Sequence, residues 1–374
     1  MKKKLHILFL CGWYPSRVLT NNGDFIQRHA EAVGKKQNVT VLHIISDKKI
    51  KQKSIEFVKK NGVDTYIGYI KKTKNPILKA IRFYKVYKEV IEKIKAFDVV
   101  HVNSLFPFGI FALHLKRIKK TPFIVSEHWT GYHYPHSKNI SFIQKIISKQ
   151  IAQNASYICP VTDNLANSMQ KTGLVGNYKK IPNVVDTNVF YPLEKTPEEY
   201  NIIHISSLLN EHKNITDMLK VAKSLEDKIG FFNWKFIGGT SEKFAKLIKE
   251  LDFKIAKIEF IDHMPQTKIV HYLQSSDVFV LFSNYENLPC VILESFSCGI
   301  PVITTNVGGI SEFFPDKFGK LIPPKNKKKL LNQLMFYNKS KEIDKSKMHA
   351  YVVKHFSKQA IEEGFSKLYY KSIN

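Results

Sequence analysis

Cysteine is scarce in this chain of 374 residues, which has only Cys11, Cys159, Cys290 and Cys298 and no C-x-x-C pair. Such usage argues against a disulfide framework and a cysteine zinc site, and it favours buried thiols in a reducing compartment. Long apolar runs are also missing, because no window approaches the roughly 18 residues of a membrane span. We therefore expect a folded cytoplasmic protein.

The amino-terminal stretch MKKKLHILFLCGWYPS has the basic start and short apolar run of a signal peptide. The run contains His6, however, and Leu10 is too large for a processing site. We interpret LHILFL as a buried parallel strand instead.

Acidic residues are few, since 32 Asp and Glu accompany 58 Lys and Arg, for a net charge of +26. Residues 1–190 have 32 basic and 11 acidic residues, a net of +21, whereas residues 191–374 have 26 and 21, a net of +5. A strongly cationic first half predicts an anionic surface or nucleic acid as its partner. General enrichment of the sequence in lysine is the alternative explanation.

Short β-branched runs alternate with longer helical segments, a pattern typical of parallel α/β domains. In the first half the predicted strands are LHILFL, NVTVLHII, VDTYIGYI, DVVHVNS, PFIVSEH, SYICPVT and KKIPNVV. In the second half they are YNIIHISS, NWKFIGG, KIEFIDH, DVFVLFSN, PVITTNV and GKLIPP. A polar segment at 186–200 predicts a linker between two doubly wound sheets, with a ligand site in the cleft between them.

Two glutamates, Glu286 and Glu294, lie eight positions apart in the stretch SNYENLPCVILESFSCG. Pro289 suits a first helical turn and Gly299 a helix end, so we predict a helix over 288–298. Its amino terminus, with the amides of 288–290, forms an anion site. The alternative is that one glutamate caps the helix and the other is solvated.

This stretch resembles the E-x7-E signature of retaining GT-B glycosyltransferases, and more widely glycosyltransferase family four. The positions that match the family pattern are Ser283, Glu286, Pro289, Glu294, Gly299, Pro301, Val302, Gly308 and Gly309. Asn287 and Ser295 stand where the family has glycine and alanine.

Three further stretches resemble the same family, so the resemblance covers nearly the whole chain. They are IPNVVDTNVFYP, with Val184 in place of glycine, the loop GWYPSRVLTNNGDF, and HISSLLNEHKN. In the last stretch Lys213 matches the family lysine, whereas Ser207 occupies the position of the family arginine.

The resemblance implies a GT-B fold of two Rossmann-like domains. Residues 1–190 would bind the acceptor, residues 191–355 would bind the nucleotide sugar, and a helix at 356–374 would return to the first domain. The implied partners are a UDP-sugar or GDP-sugar donor and a glycan acceptor, free or lipid-linked. Arg17 or Arg28 could compensate for the arginine missing at Ser207.

Each donor-site position has an implied role. The diphosphate would lie between Lys213 and the helix terminus formed by Asn287, Leu288 and Pro289, near Ser207. Glu294 would accept hydrogen bonds from the ribose hydroxyls. Glu286 would hold the donor sugar and take part in catalysis.

The first domain has two implied site residues, His128 and Gly23. His128 ends a strand and would contact the donor sugar; a buried histidine without a catalytic role is the alternative. Gly23 would let the backbone approach phosphate or acceptor, or it is a plain turn glycine. His128, His133 and His136 have no spacing that places them on one face, so we expect no metal there.

No D-x-D motif occurs in the chain, and with Lys213 available we expect a metal-independent enzyme without a further cofactor. The segment 71–97 has an apolar helical face and nine basic residues, which predicts either a core-packed helix or contact with anionic lipid at the inner membrane face. A sugar-nucleotide epimerase and a nucleic-acid-binding protein are the competing functions, although no nucleic-acid motif is present. The oligomeric state stays open.

Overall fold

A computed structural model describes residues 3–20, 22–94, 96–194, 199–339 and 343–373. The chain divides into two compact units. The first consists of Met1–Val184 and Lys358–Asn374, and the second of Val185–Ser357. The division lies a few residues before the predicted boundary at 190, and residues 195–198 of the predicted linker lie outside the described residues.

Within its described residues, the first unit has a seven-stranded sheet. The strands are β1 (His6–Cys11), β2 (Asn38–Asp47), β3 (Ser54–Lys60), β4 (Val63–Lys71), β5 (Val99–Asn103), β6 (Phe123–Glu127) and β7 (Tyr157–Pro160). Their order is β3-β4-β2-β1-β5-β6-β7, and all neighbours are parallel except β3 and β4. Strands β1, β5 and β6 are buried along almost their whole length, as expected for a sheet covered on both faces.

Before residue 185, the described residues of the first unit form five α-helices. They are α1 (Asp24–Gly34), α2 (Pro76–Lys93), α3 (Gly109–Lys119), α4 (Phe142–Asn154) and α5 (Asp163–Lys171). Helix α2 begins where the Asn75 side chain accepts hydrogen bonds from the amides of Ile77 and Leu78, both at 3.0 Å. Pro76 in the first turn suits the same helix start.

Two differences from the predicted strands of the first unit have local causes. Strand β3 was not predicted; it pairs with β4 through the Asn61-Gly62 turn, where both residues have positive φ. The predicted strand KKIPNVV was wrong. Lys179 donates to Ile158 and Ile181 donates to Pro160, and the pairing ends there because Pro160 is the last residue of β7.

The described part of the second unit has a six-stranded parallel sheet in the order β10-β9-β8-β11-β12-β13. The strands are β8 (Asn201–Ile205), β9 (Asn233–Ile237), β10 (Lys257–Ile261), β11 (Val278–Leu281), β12 (Val302–Thr305) and β13 (Gly319–Ile322). The helices are α6 (Asn210–Lys213), α7 (Ile215–Ile229), α8 (Ala245–Leu251), α9 (Gln266–Gln274), α10 (Cys290–Ser297), α11 (Lys327–Lys339) and α12 (Lys345–Phe356). Fully buried aromatic rings, among them Trp234 and Phe236, fill the core between helices and sheet.

The last helix, α13 (Lys358–Ile373), belongs to the first unit. Its apolar face, with Ile361, Phe365 and Tyr369, joins the core formed by β1 and α1. The buried Gln37 side chain donates to the Ser366 hydroxyl at 2.9 Å, which fixes the helix against the start of β2. The first core therefore includes residues from both ends of the chain.

Candidate donor site in the second unit and candidate residues of the first

Strand order reverses between β8 and β11, and the loops after these strands leave the same edge of the second sheet. The loop after β8 leads into α6, and the loop after β11 leads into α10. In open parallel sheets, ligands bind at the carboxyl ends of strands beside such a reversal. The topology therefore places Lys213 and Glu286 where a ligand site is expected.

Lys213 and Glu286 form an ion pair that joins these two loops. The Ser283 hydroxyl donates to the same carboxylate oxygen, Glu286 Oε1, at 2.7 Å. The Lys213 and Glu286 side chains are 18% and 10% exposed, so both are largely withdrawn from water yet within reach of a ligand. Hydrogen bonding to the carboxylate offsets part of the desolvation cost of the pair.

Backbone contacts hold the two loops together beside this ion pair. The Asn284 amide donates to the carbonyl of His212 at 2.8 Å, and its side-chain Nδ2 donates to the carbonyl of Glu211 at 2.9 Å. The Thr305 hydroxyl, at the end of β12, donates to the carbonyl of Ser283 at 2.6 Å. The position of the Glu286 loop is therefore fixed from both neighbouring strands.

The Gly308-Gly309 loop after β12 packs against the Glu286 backbone. A Cβ on Gly308 would lie 1.9 Å from the carbonyl oxygen of Glu286, and its φ of +60° also favours glycine. The Gly309 amide donates to the carbonyl of Asn287 at 3.2 Å. Only a residue without a side chain fits this close approach.

Glu294 lies inside α10 and is 2% exposed. Its Oε1 accepts a hydrogen bond at 2.9 Å from Nε2 of Gln266, the first residue of α9. The alternative of a solvated helix acid is therefore wrong for Glu294. A buried carboxylate needs hydrogen-bond donors, which here include an amide and could include the hydroxyls of a ligand.

The start of α10 differs from the predicted one. Helical residues run from Cys290 to Ser297, and Pro289 is the N-cap in an extended conformation. Pro289 has no N–H, so it contributes no amide to an anion site, contrary to the predicted set of 288–290. Asn287 and Leu288 are buried in the loop that precedes the helix, and Gly299, with φ +71°, follows its end.

Ser207 is exposed in the turn after β8 and leads into α6, as its sequence position implies. The sequence did not indicate the residues that shape this turn. The buried His204 side chain hydrogen bonds through Nδ1 to the carbonyl of Val280 and through Nε2 to the Ser206 hydroxyl at 2.7 Å. Burial lowers the pKa of His204 to about 3, so the ring is neutral and can accept from Ser206.

In the first unit, His128 directly follows β6 and lies among aromatic rings. Its ring centroid is 4.7 Å from that of Phe25 and 5.5 Å from that of His29. Burial holds the pKa of His128 well below its ordinary value, and the neighbouring His29 lowers it further. The neighbouring Asn183 side chain acts in the opposite direction. His128 is therefore a neutral imidazole.

Glu127, which precedes His128, was not predicted as a site residue. It is 1% exposed, and its carboxylate accepts hydrogen bonds from the backbone amides of Leu105, His128 and Trp129 at 2.8–2.9 Å. Burial raises its pKa, while these hydrogen bonds favour the charged form. Glu127 thus fixes the loop that presents His128.

Gly23 is the residue before α1 and has φ +75°. A Cβ at this position would lie 2.6 Å from the backbone carbonyl carbon of Trp13, so the glycine is required by the close approach of two chain segments. The start of α1 contacts the candidate histidine, because Phe25 packs against His128. The structure therefore brings the Gly23 turn and His128 to the same part of the first unit.

The two arginines considered as substitutes for the family arginine have acidic neighbours within the first unit. Arg17 pairs with Asp47 at 3.1 Å and with Glu56, and its guanidinium lies over the Tyr69 ring. Arg28 lies 3.6 Å from Asp24.

No group of three or more His, Cys, Asp or Glu side chains in the described part of the chain is arranged to hold a metal ion. No described helix is both long and apolar enough to cross a membrane.

Family models match both halves of the chain. Residues 33–189 match the model described as Glycosyltransferase Family 4, and residues 192–361 match the model of glycosyl transferases group 1. The Bacillus subtilis protein TuaC, named as a glycosyltransferase of teichuronic acid biosynthesis, is 22% identical over 361 residues, which is 89% of each chain.

Solved structures share the fold at low identity. Sucrose-phosphate synthase from Thermosynechococcus elongatus superimposes with a TM-score of 0.78 at 16% identity, covering 98% of each chain. The Anabaena protein HepE in complex with UDP-glucose has a TM-score of 0.72 at 15% identity, covering 98% of this chain and all of that one.

The two doubly wound units have the GT-B fold, and the family models define the chain as a glycosyltransferase. Within this class, the chain belongs to glycosyltransferase family 4, with a second half of the glycosyl transferases group 1 type. Its curated relatives include proteins named for bacterial polysaccharide biosynthesis.

Proposed function

We propose that the protein is a retaining glycosyltransferase that moves a hexose-type sugar from a UDP-sugar or GDP-sugar to a glycan acceptor of a bacterial surface polysaccharide. The proposal depends chiefly on one observation, the ion pair of Lys213 with Glu286 at the strand-order reversal of the second unit. The UDP-glucose complex of the structural neighbour HepE and the E-x7-E spacing of Glu286 and Glu294 also support it.

In this proposal, the donor diphosphate lies beside Lys213 and the amino terminus of α10. A diphosphate has more negative charge than a carboxylate, so the Lys213 ammonium would exchange Glu286 for a phosphate oxygen when the donor binds. The positive end of the α10 dipole favours the same anion. The Ser207 turn would lie next to this diphosphate, without the guanidinium donors of the family arginine.

The released Glu286 carboxylate would then bind hydroxyls of the donor sugar and stabilise positive charge as the glycosidic bond breaks. The ribose hydroxyls would donate to Glu294 in place of the Gln266 amide, so that the buried carboxylate keeps its hydrogen bonds. The neutral imidazole of His128 would contact the donor sugar from the first unit. The chemistry would need no metal, because Lys213 and the helix terminus neutralise the diphosphate.

We also propose that the first unit binds the acceptor and associates with an anionic membrane surface, as a peripheral protein at the inner face of the plasma membrane. Its charge supports this, since residues 1–190 have a net charge of +21. Exposed apolar side chains on two of its helices, among them Ile77 of α2 and Phe142 of α4, support a lipid contact.

A thermal-shift panel of UDP-sugars, GDP-sugars and the free diphosphates tests the donor site. We expect either the UDP compounds or the GDP compounds to raise the melting temperature of the wild type. The same compounds should raise the melting temperature of Lys213→Ala much less. Lys220→Ala removes an exposed lysine from α7 and is the matched control, with no expected change. Absence of any nucleotide-dependent shift, or an equal loss in both variants, would contradict the proposal.

A further inference from the structure

A cavity of ≈1270 Å³ opens in the first unit at the edge of the sheet where β1, β2 and β5 end. Its walls are the end of β2, the first half of α2 and the segment from Phe106 that leads into α3. Strand order in this sheet reverses between β1 and β5, so the cavity lies at the position where ligands bind in such folds. Pockets for drug-sized molecules measure about 300–1,000 Å³, so this cavity can hold a larger ligand.

The lining of the cavity is mainly hydrocarbon and aromatic. Phe83 lies on its α2 side, and Ile44 lies at the end of β2. Phe106, Phe108 and Phe111 line the side of the cavity that leads into α3. A ligand that fills this space must be apolar over much of its length, since a polar chain would lose its hydration there.

The start of α2 lies beside the cavity with its apolar side chains exposed. Every residue from 76 to 81 is exposed, including Ile77 at 71% and Ile81 at 47%, whereas Val86 and Val90 in the second half are fully buried. The predicted core-packed face of segment 71–97 is therefore correct only for its second half. The first turns extend the apolar surface outward from the cavity.

Four exposed lysines, Lys48, Lys49, Lys72 and Lys79, also line the cavity. Among the residues that the structure describes, no carboxylate lies within salt-bridge distance of these four ammonium groups. Arg17 differs, because it is paired with Asp47. Asp47 also lines the cavity, and the charge of Lys49 helps to lower the Asp47 pKa, but four lysines and Arg17 outnumber this one carboxylate. Apolar walls with an excess of positive charge fit a molecule that joins a hydrocarbon chain to an anionic head.

We propose that this cavity binds the hydrocarbon chain of a lipid-phosphate acceptor, with the phosphate or diphosphate group on Lys48, Lys49, Lys72 and Lys79. This assignment rests on the proposed function, because it takes the bound lipid to be the acceptor of the transferred sugar. A bilayer surface is a poorer match, because the apolar walls are concave and lie at the ligand-binding edge of the sheet. The substrate class of the acceptor is then a lipid-linked glycan.

Binding of farnesyl diphosphate to the full-length protein tests this assignment. Farnesol probes the hydrocarbon part of the site alone, and inorganic pyrophosphate probes the anionic part alone. We expect farnesyl diphosphate to bind at least about tenfold more tightly than either fragment, because both parts of the site contribute. Equal binding of pyrophosphate would contradict the assignment, as would binding to anionic vesicles without measurable affinity for farnesyl diphosphate.

Two variants with changes in the cavity lining test whether farnesyl diphosphate binds there. Lys48→Ser with Lys49→Ser should weaken farnesyl diphosphate binding about tenfold, and Ala80→Trp should weaken it by filling space beside Phe83. The matched control, Lys60→Ser with Lys367→Ser, removes two exposed lysines that do not line the cavity and should bind as the wild type does. Unchanged affinity in the first pair, or equal loss in the control, would overturn the assignment.

UDP and GDP binding, measured on the same samples, separates this assignment from the donor site. Nucleotide binding with no farnesyl diphosphate binding contradicts the cavity assignment alone. Farnesyl diphosphate binding that responds to these variants, without nucleotide binding, contradicts the donor site alone.

Discussion

Lys213 and Glu286, 73 positions apart in the sequence, form an ion pair between the loops that follow β8 and β11. Ser283 donates to the same carboxylate oxygen, so Glu286 has two partners in this structure. A ligand with a diphosphate would compete for Lys213 and leave the carboxylate available for neutral hydroxyls. The pair therefore links donor binding to the position of the proposed catalytic carboxylate.

The first prediction concerns Gly308, whose backbone packs against Glu286. Gly308→Ala should lower kcat/KM for the donor by on the order of tenfold or more, because a Cβ 1.9 Å from the Glu286 carbonyl forces the loop to move. Gly230→Ala is the control, since Gly230 has a similar φ of +76° but no atom within 4 Å of the added Cβ. Similar kinetic losses in both variants would show that backbone strain, and not the contact with Glu286, is responsible.

The second prediction concerns pH and the buried His29. Burial lowers the pKa of His29 to about 4, against an ordinary value near 6.5. Because the folded-state pKa is the lower one, the unfolded chain binds the proton more readily. The contribution of neutral His29 to the free energy of unfolding is fully present above pH 6.5. It is lost as the pH falls toward 4, by about 3 kcal/mol in total.

Urea unfolding at several pH values between 7 and 4.5 measures this dependence. His29→Gln should have a shallower decline in unfolding free energy than the wild type, and His263→Gln, which changes an exposed histidine, should follow the wild type. An unchanged slope in His29→Gln would contradict the assignment of the pH dependence to this residue.

The third prediction is that donor turnover does not require a divalent metal. Lys213 and the amino terminus of α10 are proposed to neutralise the diphosphate, so excess EDTA should leave the rate nearly unchanged. Complete loss of turnover that magnesium or manganese restores would contradict this donor-site model.

The fourth prediction is reversible binding of the protein to anionic vesicles through the first unit. Sedimentation with such vesicles should decrease steeply as salt rises, because ions screen contacts between exposed charges. Equal sedimentation with neutral vesicles, or none with anionic ones, would exclude the proposed membrane contact.

Much of the fold could be predicted because hydrophobic runs and turn residues are local signals. All six strands of the second sheet were predicted near their observed positions. In the first unit, the Asn61-Gly62 turn is a strong hairpin signal and could have revealed β3. Residues 179–181 resemble a strand in sequence, but they pair with only the short β7, and this pairing ends with β7 at Pro160.

The candidate site was less accessible to sequence, because its geometry depends on contacts between distant residues. Motif spacing indicated Glu286, Glu294 and Lys213 but not that Lys213 pairs with Glu286. Glu127 contacts the Leu105 amide and His204 contacts the Val280 carbonyl, both across neighbouring strands, which no local pattern encodes. The cavity beside α2 likewise depends on how three segments pack.

Calorimetry of the free nucleoside diphosphate, beside steady-state rates with the intact donor, tests the central claim most directly. Glu294→Gln should weaken diphosphate binding and raise the donor KM more than it lowers kcat, because the ribose contact is made in both ground and transition states. Glu286→Gln should not weaken diphosphate binding, because it removes the carboxylate that competes for Lys213, and it should lower kcat by on the order of 10²-fold, since the Glu286 contact is with the reacting sugar. Equal loss of diphosphate affinity in both variants, or in neither, would contradict the proposed division of the donor between these two carboxylates.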